Sequence, residues 1–378
     1  MNKLLIFVWM VAMGTNFFGP ISDTIPYQGL LGLIGFLYFL GIYHRNFIKL
    51  VQIRLYLVWL IGLIMPLILM FESEKEFLRS DYTSLISVLF VFVTSTLIAT
   101  DRKNGNVVVF SALTIGLISI SLNFYEFFVE NNVWSTAPGR SAGFYLNPNR
   151  SAQAILIFAA VYLTWNKREL SVFDYFFIAL ILLATLVTFS RGGIVVSILV
   201  FAFLFFLKYK VKWKTIASLL FISGFLIFLS NLVLSSYLED GAYYRLTSLR
   251  NGEIQVDFED EREIIALESY YLALKSPIFG TGVGSTKLLD VGAHNTFISI
   301  FLDYGLLGIL FYLFTIMGIV VAVFKKDNKE IIFLKLFLVW FLSYNFLTHN
   351  MLEDSVLILG FGLAVSRMLY FRVNSADA

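Results

Sequence analysis

From Leu186 to Leu199 the chain reads LVTFSRGGIVVSIL, and the charge at its centre decides how the rest is read. An apolar run arrives from Phe176, breaks at Ser190-Arg191-Gly192-Gly193, and resumes from Ile194 to Leu207 without another charge. Extended to 172–189 and 192–208, the two arms reach the roughly seventeen residues from which α-helices cross the hydrocarbon of a bilayer. An arginine at membrane level is costly, so Arg191 is a candidate functional residue. Its role depends on which side of the membrane it faces.

The 378 residues are 58% hydrophobic and 17% aromatic, only 14% are charged, and the mean hydropathy is +0.81. Soluble domains carry nearer a quarter charged residues, so the chain reads as an all-α integral membrane protein. Nucleic acid is excluded as a partner, because the net charge of +2 is spread over membrane loops of both signs. There is no cysteine, which removes disulfides, thiolate nucleophiles and cysteine metal sites. With three histidines, His44, His294 and His349, no metal centre is expected.

Outward from Arg191, apolar runs near 4–19, 28–43, 54–71, 84–100, 106–128, 152–165, 172–189, 192–208, 214–235, 305–324, 331–348 and 355–371 give about twelve transmembrane helices. The opening MNKLLIFVWMVAMG resembles a signal peptide but lacks a small-x-small cleavage site, so it reads as an uncleaved first helix. Continuous apolarity, without alternation of period two, disfavours a β-barrel. The expected organisation is nine spans over 1–235, a long extracytoplasmic loop with a re-entrant segment over 236–304, and three spans with a cytoplasmic C-terminus over 305–378. Most of the 28 Lys and Arg fall in one set of loops, which places both termini in the cytoplasm. Arg191, the loop holding Arg140 and Arg150, the long loop, His294 and His349 then share the outer face.

Two outer segments carry polar detail. In STAPGRSAGFYLNPNRSAQA (135–154), Gly139, Gly143 and Asn147-Pro148-Asn149 are turn signals. Arg140 and Arg150 either bind an anion there or pair with acidic loop residues, and residue type leaves both open. In DFEDEREIIALESYYLALKSPIFGTGVGS (257–285), Asp260 and Glu263 have capping-box spacing. Ile264, Leu267, Tyr271 and Leu274 recur at helical intervals and Ser276-Pro277 ends the run, predicting a short amphipathic helix at the membrane surface. Arg262, in its first turn, either meets an anion or pairs with Glu259, Glu261 or Glu263. The glycines around Gly282 would let backbone approach a ligand. His294-Asn295 then heads an apolar segment of about ten residues ending at Asp303-Tyr304-Gly305, too short to span.

Arginines on one face with a histidine and no metal ligands suit a lipid-linked, multiply charged anion, since the guanidinium fork grips phosphate bidentately. Four elements, RSAGFYLNPNRSA (140–152), TFSRGG (188–193), EREIIALESYYLALKSPIFGTGVGS (261–285) and AHNTFISIFLDYGLLGILFYL (293–313), occur in an order and spacing that resemble the Wzy-type O-antigen polymerase and ligase family. The resemblance implies metal-independent glycosyl transfer, without a cofactor, on the outer face of the bacterial cytoplasmic membrane. The implied donor is an undecaprenyl-diphosphate-linked oligosaccharide. In a polymerase the acceptor is another lipid-linked repeat unit of O-antigen, capsule or exopolysaccharide; in a ligase it is the lipid A core.

By the same resemblance Arg191 and Arg262 hold the diphosphate, and His294 deprotonates or orients the acceptor hydroxyl. Arg140, Asn147, Asn149, Arg150, Ser190, Gly192, Gly282 and Asn295 are the accompanying substrate-binding candidates. The implied partners are membrane lipids and a chain-length regulator protein. The match departs in the loop 236–304, which is compact and acidic for the family, with Glu239, Asp240, Glu253, Asp257 and Glu259. A lipid-linked oligosaccharide flippase or transporter is the competing class. Concentration of charge at one face, and the lack of an inverted repeat of broken helices, argue against it.

Overall fold

The computed structural model describes residues 2–21, 27–72, 79–129, 133–137, 139–166, 169–209, 266–282, 285, 295–324, 331–346 and 354–374. Its helices are α1 (Asn2–Gly14), α2 (Tyr27–Val51), α3 (Arg54–Glu72), α4 (Arg79–Thr100), α5 (Gly105–Phe128), α6 (Pro148–Thr164), α7 (Val172–Val187), α8 (Arg191–Tyr209), α9 (Thr296–Phe324), α10 (Ile332–Asn345) and α11 (Ser355–Asn374), with a further helical stretch at 266–273. Every expected apolar run except 214–235 coincides with one of these helices; that run lies outside the described residues. Among the described residues, four helices are long and apolar enough to cross a membrane, and six more are apolar but shorter. The chain is a multi-pass helical membrane protein.

Local chemistry moves several boundaries. The sixth run begins at Pro148 rather than 152, because Asn147 Oδ1 accepts from the Asn149 and Arg150 amides at 2.9 and 3.4 Å and Pro148 needs no donor in the first turn. α1 stops at Gly14, since Asn16 turns into the left-handed region (φ 54°). α2 continues past the expected end at 43 to Val51, kinked at Tyr43. Of the amphipathic helix expected in the long loop, residues 266–273 are helical, and the turn at Ser276-Pro277 follows where the sequence placed the stop. The segment after Asn295 is the first part of α9, which continues beyond a break at Gly305 (φ 64°, ψ −157°).

α6 is the axis of the bundle. Its residues from Ser151 to Thr164 are all buried, and α5, α7, α8, α10 and α11 pack around it. Ser151, Ala152, Ala154, Ala159 and Ala160 keep its surface thin, which is how helices approach closely where lipid offers no hydrophobic drive for their association. α4 meets α11 in the same manner, with Ser95 and Thr96 against Gly362. At the C-terminal end of α6, Lys208 Nζ donates to Leu163 O at 2.8 Å, and Arg367 donates to Trp165 O while stacking on the Trp165 ring at 4.1 Å. Cations there satisfy the last carbonyls and favour the negative end of the helix dipole. The candidate site lies at the other end of α6.

Candidate functional site

The site is built on a loop closed by one carboxylate. Glu126, in the last turn of α5, is buried, and its Oε1 accepts the Trp134 and Ser135 amides at 2.9 and 2.6 Å. Its Oε2 accepts the Ala142 and Gly143 amides at 2.6 and 2.8 Å. Thr136 bonds to Leu146 O through its amide and hydroxyl, at 2.8 and 3.0 Å, so the loop also closes on itself. Tyr145 fixes the loop from below: its phenol donates to Gly14 O at 2.7 Å and lies 2.8 Å from Ser119 Oγ. Burial pushes that phenol far above its ordinary range, against the opposing hydrogen bond to Ser119, and it stays a neutral donor.

From this loop Arg140 reaches across the bundle end. Its Nε donates to Thr188 O at 3.0 Å and its Nη2 to Asn149 Oδ1 at 3.1 Å. Ser190 Oγ donates to the same Asn149 oxygen at 2.8 Å and accepts the Gly193 amide at 3.0 Å, capping α8. One side-chain amide oxygen thus ties together the loop, the start of α6 and the start of α8. Gly193 lets the two helices abut, since a Cβ there would stand 2.6 Å from Ala152 Cβ. Arg191 opens α8 and is exposed at this end.

Each of these two helix starts follows a bulky residue in the left-handed region, Leu146 (φ 64°) before Asn147 and Phe189 (φ 47°) before Ser190. Such conformations cost about 1–3 kcal/mol each and cluster at functional sites. The outcome is two helix N-termini, whose dipoles favour anions, side by side with two guanidinium groups.

Arg150 follows the alternative that residue type had left open. It forms an ion pair with Asp354, Nε to Oδ2, with a second contact from Nη2 to Oδ1 at 3.0 Å. Asp354 also caps α11, accepting from the Val356 and Leu357 amides at 2.8 and 3.3 Å. Arg150 therefore joins α6 to α11, and its charge is matched within the protein. Asp354→Ala should lower stability by about 2 kcal/mol, by loss of both the ion pair and the cap, and Asp354→Asn by less, because asparagine still caps. Thermal unfolding of the two variants in detergent checks the order.

Gly282 and Asn295 belong to a second assembly around the break in α9. Asn295 Oδ1 accepts from the Phe297 and Ile298 amides at 2.9 and 3.3 Å and so caps that helix. Gly282 (φ 100°) turns the chain so that the Ser285 amide meets buried Asp303 Oδ1 at 2.9 Å. His294 and Arg262 lie outside the described residues. The helical course of 176–209 and 296–313, with the turn between them docked on α9, is the frame in which the sequence motifs sit. Residues 176–313 match the O-antigen ligase family, Wzy_C. The matched segment contains Ser190, Arg191, Gly192, Gly282 and Asn295, whereas the Arg140–Arg150 loop precedes it. Curated proteins gave no match. Among solved structures, a chain from work described as "Structural coordination of polymerization and crosslinking by a peptidoglycan synthase complex" is similar at 14% identity with a TM-score of 0.52, over 84% of this chain and 97% of that one. At that identity the likeness is one of fold.

Three residues of these assemblies were not singled out from sequence: Glu126, Thr188 and Asp354. Glu126 had a readable signal, as the one charged residue of α5, lying inside an expected span. Asp354, directly before the last span, is a helix-start residue by type. Thr188 contributes a main-chain oxygen, which no side-chain pattern betrays.

Proposed function

We propose that the chain is a polysaccharide polymerase of the outer face of the bacterial cytoplasmic membrane, joining undecaprenyl-diphosphate-linked repeat units. The observation that carries this reading is the junction at Asn149 Oδ1, where Arg140, Ser190 and the starts of α6 and α8 converge beside Arg191. Guanidinium groups beside two helix N-termini suit a diphosphate, whose charge grows as it leaves. In the reaction the acceptor hydroxyl attacks the anomeric carbon of the donor glycan. The bond from that carbon to the diphosphate oxygen breaks, its electron pair stays on undecaprenyl diphosphate, and the hydroxyl proton passes to His294. Arg191 and Arg262 stabilise the departing charge, and Arg140 holds the diphosphate in place.

The match to the O-antigen ligase family supports a second reading, in which the acceptor is the lipid A core. Incubating purified protein with one lipid-linked repeat unit, with and without lipid A core, separates the two. A ladder of lengthening products supports the polymerase; transfer to the core alone supports the ligase; no transfer to either removes both.

Among the described residues no group of three or more His, Cys, Asp or Glu has the arrangement to hold a metal ion. Arginines in place of a metal make transfer chelator-resistant, so activity in EDTA should equal that without it. Complete loss in EDTA with recovery on adding a divalent ion would contradict this account.

A further inference from the structure

We propose that Glu126 is a positioning residue for the diphosphate site, fixing Arg140 by clamping the chain on both sides of it. What Arg140 binds rests on the function proposed above; the clamp itself does not. A buried carboxylate in the last turn of a helix stands at the wrong end of the helix dipole and loses its hydration, so it needs compensation. Glu126, 1% exposed, receives it from four backbone amides in two pairs, at 134–135 and 142–143. Between those pairs the chain reads Thr136-Ala137-Pro138-Gly139-Arg140-Ser141, and Arg140 is its one charged residue. A surface segment of this composition orders at an entropic cost in every residue. One side chain that gathers both its ends leaves Arg140 a short arc from which to reach Thr188 O and Asn149 Oδ1. The Ser141 amide, bonded to Val187 O at 3.2 Å, seats that arc on the end of α7.

Glu126→Gln tests this with little change of volume. Its amide nitrogen would face two N–H donors, so one of the two clamps must open. Full-length protein is compared as wild type, Glu126→Gln, Glu126→Asp, Arg140→Gln and the Glu126→Gln/Arg140→Gln double variant, by binding of undecaprenyl diphosphate and by transfer at varied donor concentration. Glu126→Gln should weaken undecaprenyl diphosphate binding by about tenfold, the scale of one hydrogen bond to a charged group. Arg140→Gln should weaken it equally, and the double variant no further, because both changes remove the same interaction. Donor KM should rise with kcat little changed; Glu126→Asp, with the charge but a shorter reach, should fall between wild type and glutamine. A purely structural role predicts the reverse, a smaller active fraction at unchanged KM, with the two substitutions multiplying, and that result overturns the proposal.

Amide exchange of the wild-type protein decides the clamp even where the variants fail to accumulate. The amides of Trp134, Ser135, Ala142 and Gly143 should exchange far more slowly than amides of an unstructured peptide, and exchange at the unstructured rate overturns the proposal. If wild-type protein binds no undecaprenyl diphosphate, the proposed function falls rather than the clamp. The clamp then stands or falls on exchange and on modification of Arg140 by phenylglyoxal, which should quicken in Glu126→Gln.

Discussion

Arg191→Lys should lower donor turnover by roughly a hundredfold, the cost of removing one preorganised donor from a site of developing charge, while leaving membrane abundance unchanged. Arg191 is exposed at the first position of α8, and its neighbours already hold the helix start: Ser190 caps it and Gly193 packs on Ala152. The side chain is thus not needed to start the helix. Lysine keeps the charge but not the planar fork, so any loss reports bidentate grip rather than net charge. His294→Ala separates the acceptor side from the donor side. It should remove transfer by a hundredfold or more, as for a general base, with donor binding nearly intact. Abundance, donor binding and turnover measured on the same preparations discriminate these roles from a folding defect. Full specific activity in either variant would falsify that residue's place in the site.

The helices were legible because a membrane span needs an unbroken apolar run, and such runs are visible one residue at a time. The start of α6 was legible in type, since Asn-Pro marks a turn and a helix beginning, although hydropathy placed it four residues late. Arg191 declared itself by interrupting an apolar segment. Partnerships were another matter. Arg150 and Asp354 are 204 residues apart, and nothing in either segment names the other. Glu126 binds main-chain amides, groups that every residue but proline possesses, so its partners leave no trace in side-chain identity. Convergence of Arg140 and Ser190 on one oxygen of Asn149 is likewise a product of the bundle. The residue types were readable, and which of them pair with one another was not.

Gly305→Ala should be severely damaging, costing about 3 kcal/mol or more and sharply reducing the amount of folded protein. Gly305 breaks α9 at φ 64° and ψ −157°, a region open in practice to glycine alone. The break frees helix groups that a bilayer cannot hydrate, and the turn at 276–282 satisfies them. Leu306 and Leu307 donate their amides to Pro277 O and Ile278 O at 2.8 and 3.3 Å, and Leu302 O accepts the Thr281 amide at 2.8 Å. This main-chain pairing requires backbones closer than any side chain permits. A Cβ on Gly305 would lie 2.5 Å from the Gly280 nitrogen and the Ile278 carbonyl, and one on Gly280 would lie 2.5 Å from the Asp303 carbonyl and the Tyr304 nitrogen. Both are backbone atoms, which cannot swing aside. Gly280→Ala (φ 77°) should therefore fail for the same reason from the opposite side, and the double variant should not compensate. Gly41, inside α2 with open space around it, is the control: Gly41→Ala should be neutral or stabilise by up to about 1 kcal/mol. Thermal unfolding and membrane abundance of the three single variants measure the ranking. Wild-type stability in Gly305→Ala would mean that the turn does not plug the broken helix.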